Sequence, residues 1–135
     1  MPGENVEVVR RLYEAVARHD AETVLDLYHP DVEWDFTNSP VGDAMSRRVY
    51  RGHEGLRLWW REWSEAWERY NDGYDELIEA NDHVIVKVTS RGRGRASGAD
   101  VAWTQYGVWS VRDGRIVRVE WFRDLQDAQV AAGAR

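Results

Sequence analysis

The chain has 135 residues, a size suited to one domain built on one buried core. Its 43% hydrophobic and 31% charged residues exclude a disordered chain, and a formal charge of −6 argues against non-specific nucleic-acid binding. The absence of cysteine excludes disulfides and thiolate zinc sites, no apolar run is long enough to span a bilayer, and the N-terminus is charged and amphipathic without a signal core, so a soluble cytoplasmic protein is expected.

Asn5 can cap a first helix in which Val6, Val9, Tyr13 and Val16 recur at helical spacing with Leu12 beside them, ending near His19. Asp20 then caps a short helix, AETVLDLY, that buries Val24, Leu25, Leu27 and Tyr28 and closes before Pro30. The two form a helical hairpin. DVEWDF alternates with period two, so Val32, Trp34 and Phe36 share one strand face and Glu33 and Asp35 the other. A loop rich in turn formers, TNSPVGDAMSRRVYRG, leads into LRLWWREWSEAWERY, Leu56 to Tyr70, which holds four of the eight tryptophans. At about 100° per residue, Leu56, Trp59, Trp60, Trp63, Trp67 and Tyr70 fall within one arc, while Arg57, Arg61, Ser64, Glu65, Glu68 and Arg69 occupy the rest. The spacing predicts a long helix with one buried face.

Beyond Tyr70 the pattern is β. YDELIEA, the Asn81-Asp82 turn and HVIVKVTSR form one hairpin. RGRGRASGAD is a flexible, solvated connection, less suited to gripping phosphate or RNA in an acidic domain. VAWTQYGVWSV, the Asp113-Gly114 turn and RIVRVEWF form a second hairpin, and a short helix runs from Leu125 to Ala132. Helices massed before a four-stranded antiparallel meander indicate a single α+β domain over residues 1–135, its sheet curling round the long helix.

Three stretches, NVEVVRRLYEAVARHDAETVLDLYHPDVEW, YRGHEGLRLWW and VWSVRDGRIVRVEWFRD, resemble the SnoaL-like branch of the nuclear transport factor 2-like superfamily across nearly the whole chain. The resemblance implies a cone-shaped fold: a strongly curved antiparallel sheet wrapped round a long helix, an N-terminal helical hairpin, and an apolar pocket open at one end. Its relatives include ketosteroid isomerases, limonene epoxide hydrolases, polyketide cyclases and non-catalytic members, so fold does not settle function. Ketosteroid isomerases carry their general base just before a Pro-Val-Gly run; here Ser39 precedes Pro40-Val41-Gly42. Their hydrogen-bonding aspartic acid falls near Gly107, and their helix tyrosine near Leu12, one position from Tyr13. The last-strand aspartate of SnoaL-type cyclases falls at Trp121. The expected acid and base groups are replaced or displaced.

Alternation places Val117, Val119, Trp121 and Arg123 on one inward face, Arg118, Glu120 and Phe122 outside, and Trp103, Gln105, Gly107 and Trp109 inward on the preceding strand. With Trp34, Phe36, Trp59 and Trp63 they outline an aromatic pocket with one amide and one guanidinium, and the binding set is Trp34, Phe36, Trp59, Trp63, Trp103, Gln105, Trp121 and Arg123. Arg123 suits either an anionic ligand group or a pairing with Asp124 or Asp35. The reading is a domain that binds a hydrophobic small molecule; the alternative is an isomerase, cyclase or hydrolase with a non-standard acid–base set drawn from Asp35, His53, Tyr13 and Tyr28. His53 suits a structural role at the helix entrance as well as that of a base, and His53-Glu54 lacks the second histidine of a zinc motif. No metal, cofactor, nucleic acid or membrane is expected as a partner. The resemblance implies a homodimer through the outer sheet face, with Tyr106, Val108 and Phe122.

Overall fold

The computed structural model describes residues 3–133. Helix α1 (Glu4–Ala17) starts one residue before Asn5, with Gly3 rather than Asn5 at its N-cap. Gly3 adopts φ 92°, a left-handed conformation that glycine tolerates, and its N–H donates to Glu79 Oε2 at 2.8 Å. Val8, Val9, Leu12 and Ala15 form the buried stripe, which leaves Val16, placed inward by sequence, 43% exposed. Helix α2 (Ala21–Leu27) is capped as expected: Asp20 accepts from Thr23 N at 3.2 Å and from the Thr23 hydroxyl at 2.7 Å. Those hydrogen bonds hold the Asp20 carboxyl below its ordinary pKa.

Tyr28 opens a strand rather than closing α2. The sheet comprises β1 (Tyr28–Asp35), a short β2 (Val49–Arg51), β3 (Trp67–Ala80), β4 (His83–Gly94), β5 (Asp100–Arg112) and β6 (Arg115–Phe122), in the order β2-β1-β6-β5-β4-β3. The meander from β3 to β6 is antiparallel, and Asp113 and Gly114 both take positive φ (52° and 78°) in the tight turn their types favour. One pair departs from an all-antiparallel sheet: β1 runs parallel to β6, with Trp34 opposite Val119. Parallel pairing needs a long connection, and here it is everything between β1 and β6.

Helix α3 (Gly52–Ala66) is shorter than the tryptophan pattern suggests; Trp67 and Tyr70 lie on β3. The cause is distant in sequence. Arg95 donates from Nε to the Glu65 carbonyl (3.1 Å) and from Nη2 to the Trp67 carbonyl (2.9 Å), while its backbone N–H meets the Ala66 carbonyl (3.0 Å), which occupies the acceptors at the helix end. The last arginine of RGRGR is therefore a helix clamp, and Arg93 pairs with Glu68 and Asp100. Helix α3 buries Gly55, Leu56 and Trp63, so Trp60 sits on the rim at 56% exposed instead of inside.

The concave sheet face and α1, α2 and α3 enclose the main core, including Val84, Val86, Val88, Trp109, Val119 and Trp121. A bulge between Ser110 and Val111 pairs Val111 with Ile116, so Ile116 replaces Val117 on the inner face while Val119 and Trp121 keep theirs. Helix α4 (Leu125–Gly133) folds back over the convex face and covers Ile85, Val108 and Phe122 with Ala128 and Ala132. Phe122 is thus buried within its own chain and is not available to a partner. The result is an α+β cone with one helix closing part of its back. No helix among the described residues is long and apolar enough to cross a membrane.

Candidate functional site

Cross-strand register arranges the concave face in rows. Trp34 pairs with Tyr50 and Val119, Val119 with Trp109, and Trp109 with Val84. The next row holds Trp121, Gly107, Val86 and Leu77; then come Gln105, Val88 and Tyr74, and then Trp103, Ser90 and Asp72. A Cβ on Gly107 would meet the Trp121 ring and the Trp109 Nε1 at 2.9 Å, so the space of the expected carboxylic acid is filled by two indoles.

Of the anticipated binding residues, the aromatic ones converge. Trp34 lies 4.5 Å from Trp59 and 5.8 Å from both Phe36 and Trp121, centroid to centroid. Trp59 stacks on Trp63 at 5.9 Å, and Trp63 meets Trp103 edge-on at 6.0 Å. Trp67 and Tyr70, absent from the anticipated set, both touch Trp63 and Trp103. Such contacts between rings add about 0.5–1.5 kcal/mol each beyond area burial.

The polar groups inside are few. Ser39, 6% exposed, donates its hydroxyl proton to Gln105 Oε1 at 2.9 Å and accepts from Val41 N at 3.1 Å, and Gln105 is itself 5% exposed. The Ser-Pro-Val-Gly turn, closed by Gly42 N on the Ser39 carbonyl, aims that hydroxyl inward. A serine so held is a hydrogen-bonding group and not a base. The indole N–H groups of Trp34, Trp59, Trp67, Trp103, Trp109 and Trp121 are buried and meet no acceptor among the described residues. That of Trp34 lies toward the Tyr28 hydroxyl, outside bonding geometry.

Of the candidate acid–base residues, Asp35 and His53 are engaged away from this interior, whereas Tyr28 and Tyr13 border it, Tyr28 6.1 Å from Trp34 and Tyr13 5.8 Å from Trp109, centroid to centroid. Asp35 lies on the opposite face in a cluster where Arg118 reaches Glu33 (3.1 Å), Asp35 (3.3 Å) and Glu120 (3.1 Å). Asp35 therefore pairs with Arg118, not Arg123, and Arg123 stands exposed just past β6, outside the aromatic group. Asp124 instead accepts from Asp127 N at the start of α4. His53 donates from Nε2 to the Tyr28 carbonyl at 2.9 Å, which ties the start of α3 to β1. Tyr28 is core, its hydroxyl pKa pushed well up by burial. Tyr13 stacks on Tyr74 at 4.0 Å, and burial with the nearby Asp72 charge drives its pKa up as well.

Two further hydroxyl–carboxylate groups were not anticipated. Glu62 accepts from Tyr50 (2.5 Å) and from Ser46, anchoring the loop before β2 on α3; burial alone would raise its pKa, and these hydrogen bonds outweigh it and lower it. Asp72 Oδ1 accepts from Ser90 (2.5 Å) and Tyr70 on the concave face of β3. There the loss of water raises its pKa despite both hydrogen bonds. Open depressions are lined by Arg69, Tyr70, Gly92 and Val101 at one end of the sheet and by Glu79, His83, Ser110 and Arg112 at the other. Among the described residues no group of acidic or histidine side chains is arranged to hold a metal ion.

A curved sheet closed on a helix, with rings and one buried polar pair inside, defines the class of cone-shaped NTF2-like proteins. The chain belongs to the SnoaL-like domain family, whose model matches residues 9–119. Among solved structures it is similar to an NTF2-like protein from Burkholderia thailandensis (28% identity, 97% of each chain covered, TM-score 0.76). It is similar also to one from Burkholderia pseudomallei (26% identity, 92% of this chain and 93% of that one, TM-score 0.76). TerC, crystallised with polyporic acid, shares the fold at 24% identity, with 96% and 98% of the chains covered and a TM-score of 0.75. No curated protein matches the chain.

Proposed function

We propose that this domain binds a flat aromatic or polycyclic small molecule bearing carbonyl or hydroxyl oxygens, against the tryptophans of its concave face. The observation that carries the reading is the set of six buried indole donors without acceptors among the described residues, together with the buried Ser39–Gln105 pair. An unmade buried hydrogen bond costs about 1–3 kcal/mol. A ligand oxygen that reached such donors would recover that cost while its ring displaced or slid between the indoles. Family membership supports a ligand-binding or cyclase-like role in general. A purely binding role is favoured over turnover because Ser39, Gly107 and Trp121 stand where the family resemblance implies carboxylates, and Asp35 and His53 are engaged elsewhere.

Titration with a hydroxylated anthraquinone should quench tryptophan fluorescence saturably. Gln105→Leu should weaken it by about tenfold, the value of one buried hydrogen bond, and should leave the affinity for anthracene unchanged. Absence of saturable quenching by either compound would remove the proposal. Turnover of the quinone would replace it with the enzymatic alternative.

A homodimer is proposed through the part of the convex face beside α4, where Lys87 pairs across strands with Tyr106. The support is the family resemblance, and the expected sedimentation result is twice the chain mass at micromolar concentration. A concentration-independent monomer would overturn it.

A further inference from the structure

Edge strand β3 passes between α1 and the end of α3, and its concave face carries Tyr70, Asp72 and Tyr74 in succession. Asp72 is flanked on one side by the stacked Tyr13–Tyr74 pair, and on the other by Tyr70 with Trp63, whose ring centroids are 5.0 Å apart. Trp103 stands in the same cross-strand row, beyond Ser90.

The carboxylate is oriented rather than neutralised. Ser90, fully buried, and Tyr70 both donate to Oδ1, and the Tyr70 hydroxyl lies 3.2 Å from Ser90 Oγ. Among the described residues no lysine, arginine or histidine pairs with Asp72. The arginines nearest in sequence or register, Arg69, Arg91 and Arg93, alternate onto the opposite face, where Arg93 is paired with Glu68 and Asp100. Asp72 is itself solvent-exposed, so a solute cation can reach a carboxylate that no side chain among the described residues neutralises. Aromatic rings stand on both sides of it, and such rings attract a positive charge.

We infer that Asp72, fixed by Tyr70 and Ser90 between two groups of aromatic rings, is a binding site for the ammonium group of an arylalkylamine. The inference rests on the concave face being a ligand site: the ring lodges against the tryptophans and the ammonium reaches Asp72. Oδ2 takes the cation while Oδ1 keeps its two donors. The site adds a charge requirement to a surface otherwise selective only for flat, apolar shape.

The test compares phenethyltrimethylammonium with its neutral carbon isostere, 3,3-dimethylbutylbenzene, by tryptophan fluorescence at neutral pH. The wild type should bind the cation at least about tenfold more tightly. Asp72→Asn keeps an acceptor oxygen for Tyr70 and Ser90 and should erase that preference without changing the affinity for the isostere. Near-UV circular dichroism checks that the variant keeps its aromatic packing. Equal affinity for both probes in the wild type, or a preference that survives Asp72→Asn, would overturn the ammonium site and leave the aromatic ligand site standing. Failure of both probes to bind would overturn both. Asp72-dependent hydrogen exchange into an enolisable ketone, with no preference for the cation, would assign Asp72 to proton transfer and so reject the proposal.

Discussion

Gly107 marks a point where the packed core leaves no room for a side chain. Its space is occupied by Trp109 and Trp121, so any Cβ there must move an indole held in the core. Gly107→Ala should therefore cost about 1–3 kcal/mol through overpacking, read by urea denaturation, and a change within experimental error would mean that the rings are looser than their contacts imply. Asp72 makes the opposite kind of prediction, through charge. Its pKa is raised above the ordinary aspartate value of 3.8, chiefly by partial desolvation, so its ionisation disfavours the folded state. The stability linked to it is fully present below that value and is lost as pH rises through the folded pKa. Asp72→Asn should gain stability relative to wild type on going from acid to neutral pH in the absence of ligand. A difference that stays constant across that window would show that the carboxyl titrates normally.

At the scale of elements, helix α3 separates what local pattern conveys from what it cannot. Its amphipathic period was legible, as were β4, β5 and β6, whose alternation and Asp113-Gly114 turn act over short range. Its end was not, because Trp67 continues the helical stripe and only Arg95, contributed from beyond β4, holds the last carbonyls. The parallel pairing of β1 with β6 has no local signal either. The Asp72 site was hidden for a register reason: counting outward from the Asn81-Asp82 turn opposes Asp72 to Arg91, and the irregularity between Tyr74 and Leu77 moves it to Ser90. The aromatic group from Trp34 to Trp121 followed from strand alternation and helical spacing, whereas alternation carried one residue too far placed Arg123 inward, beyond the end of β6 where it is exposed. The rotation of α3 gives a direct check. Trp63→Ala should cost about 3–5 kcal/mol and Trp60→Ala about 0.5 or less in chemical denaturation; the reverse order would put the helix the wrong way round.

For the whole molecule, the same rings serve as core and as proposed binding surface, so ligand and fold must be coupled. A core whose buried indoles lack acceptors is less stable than its apolar area suggests, because each unmade hydrogen bond offsets part of the burial. A ligand that binds only the folded chain stabilises it by about 2.7 kcal/mol at a hundredfold excess over its Kd. For a domain of this size each kcal/mol moves Tm by roughly 2–5 °C. A hydroxylated anthraquinone at that concentration should thus raise Tm by roughly 5–14 °C, measured by calorimetry. Anthracene, which offers no oxygen to Gln105 or to the indoles, should need a far higher concentration for the same shift. A quinone that quenches tryptophan yet leaves Tm unchanged would be touching an exposed ring such as Trp60 rather than entering the concave face, and that result would separate a surface contact from a site.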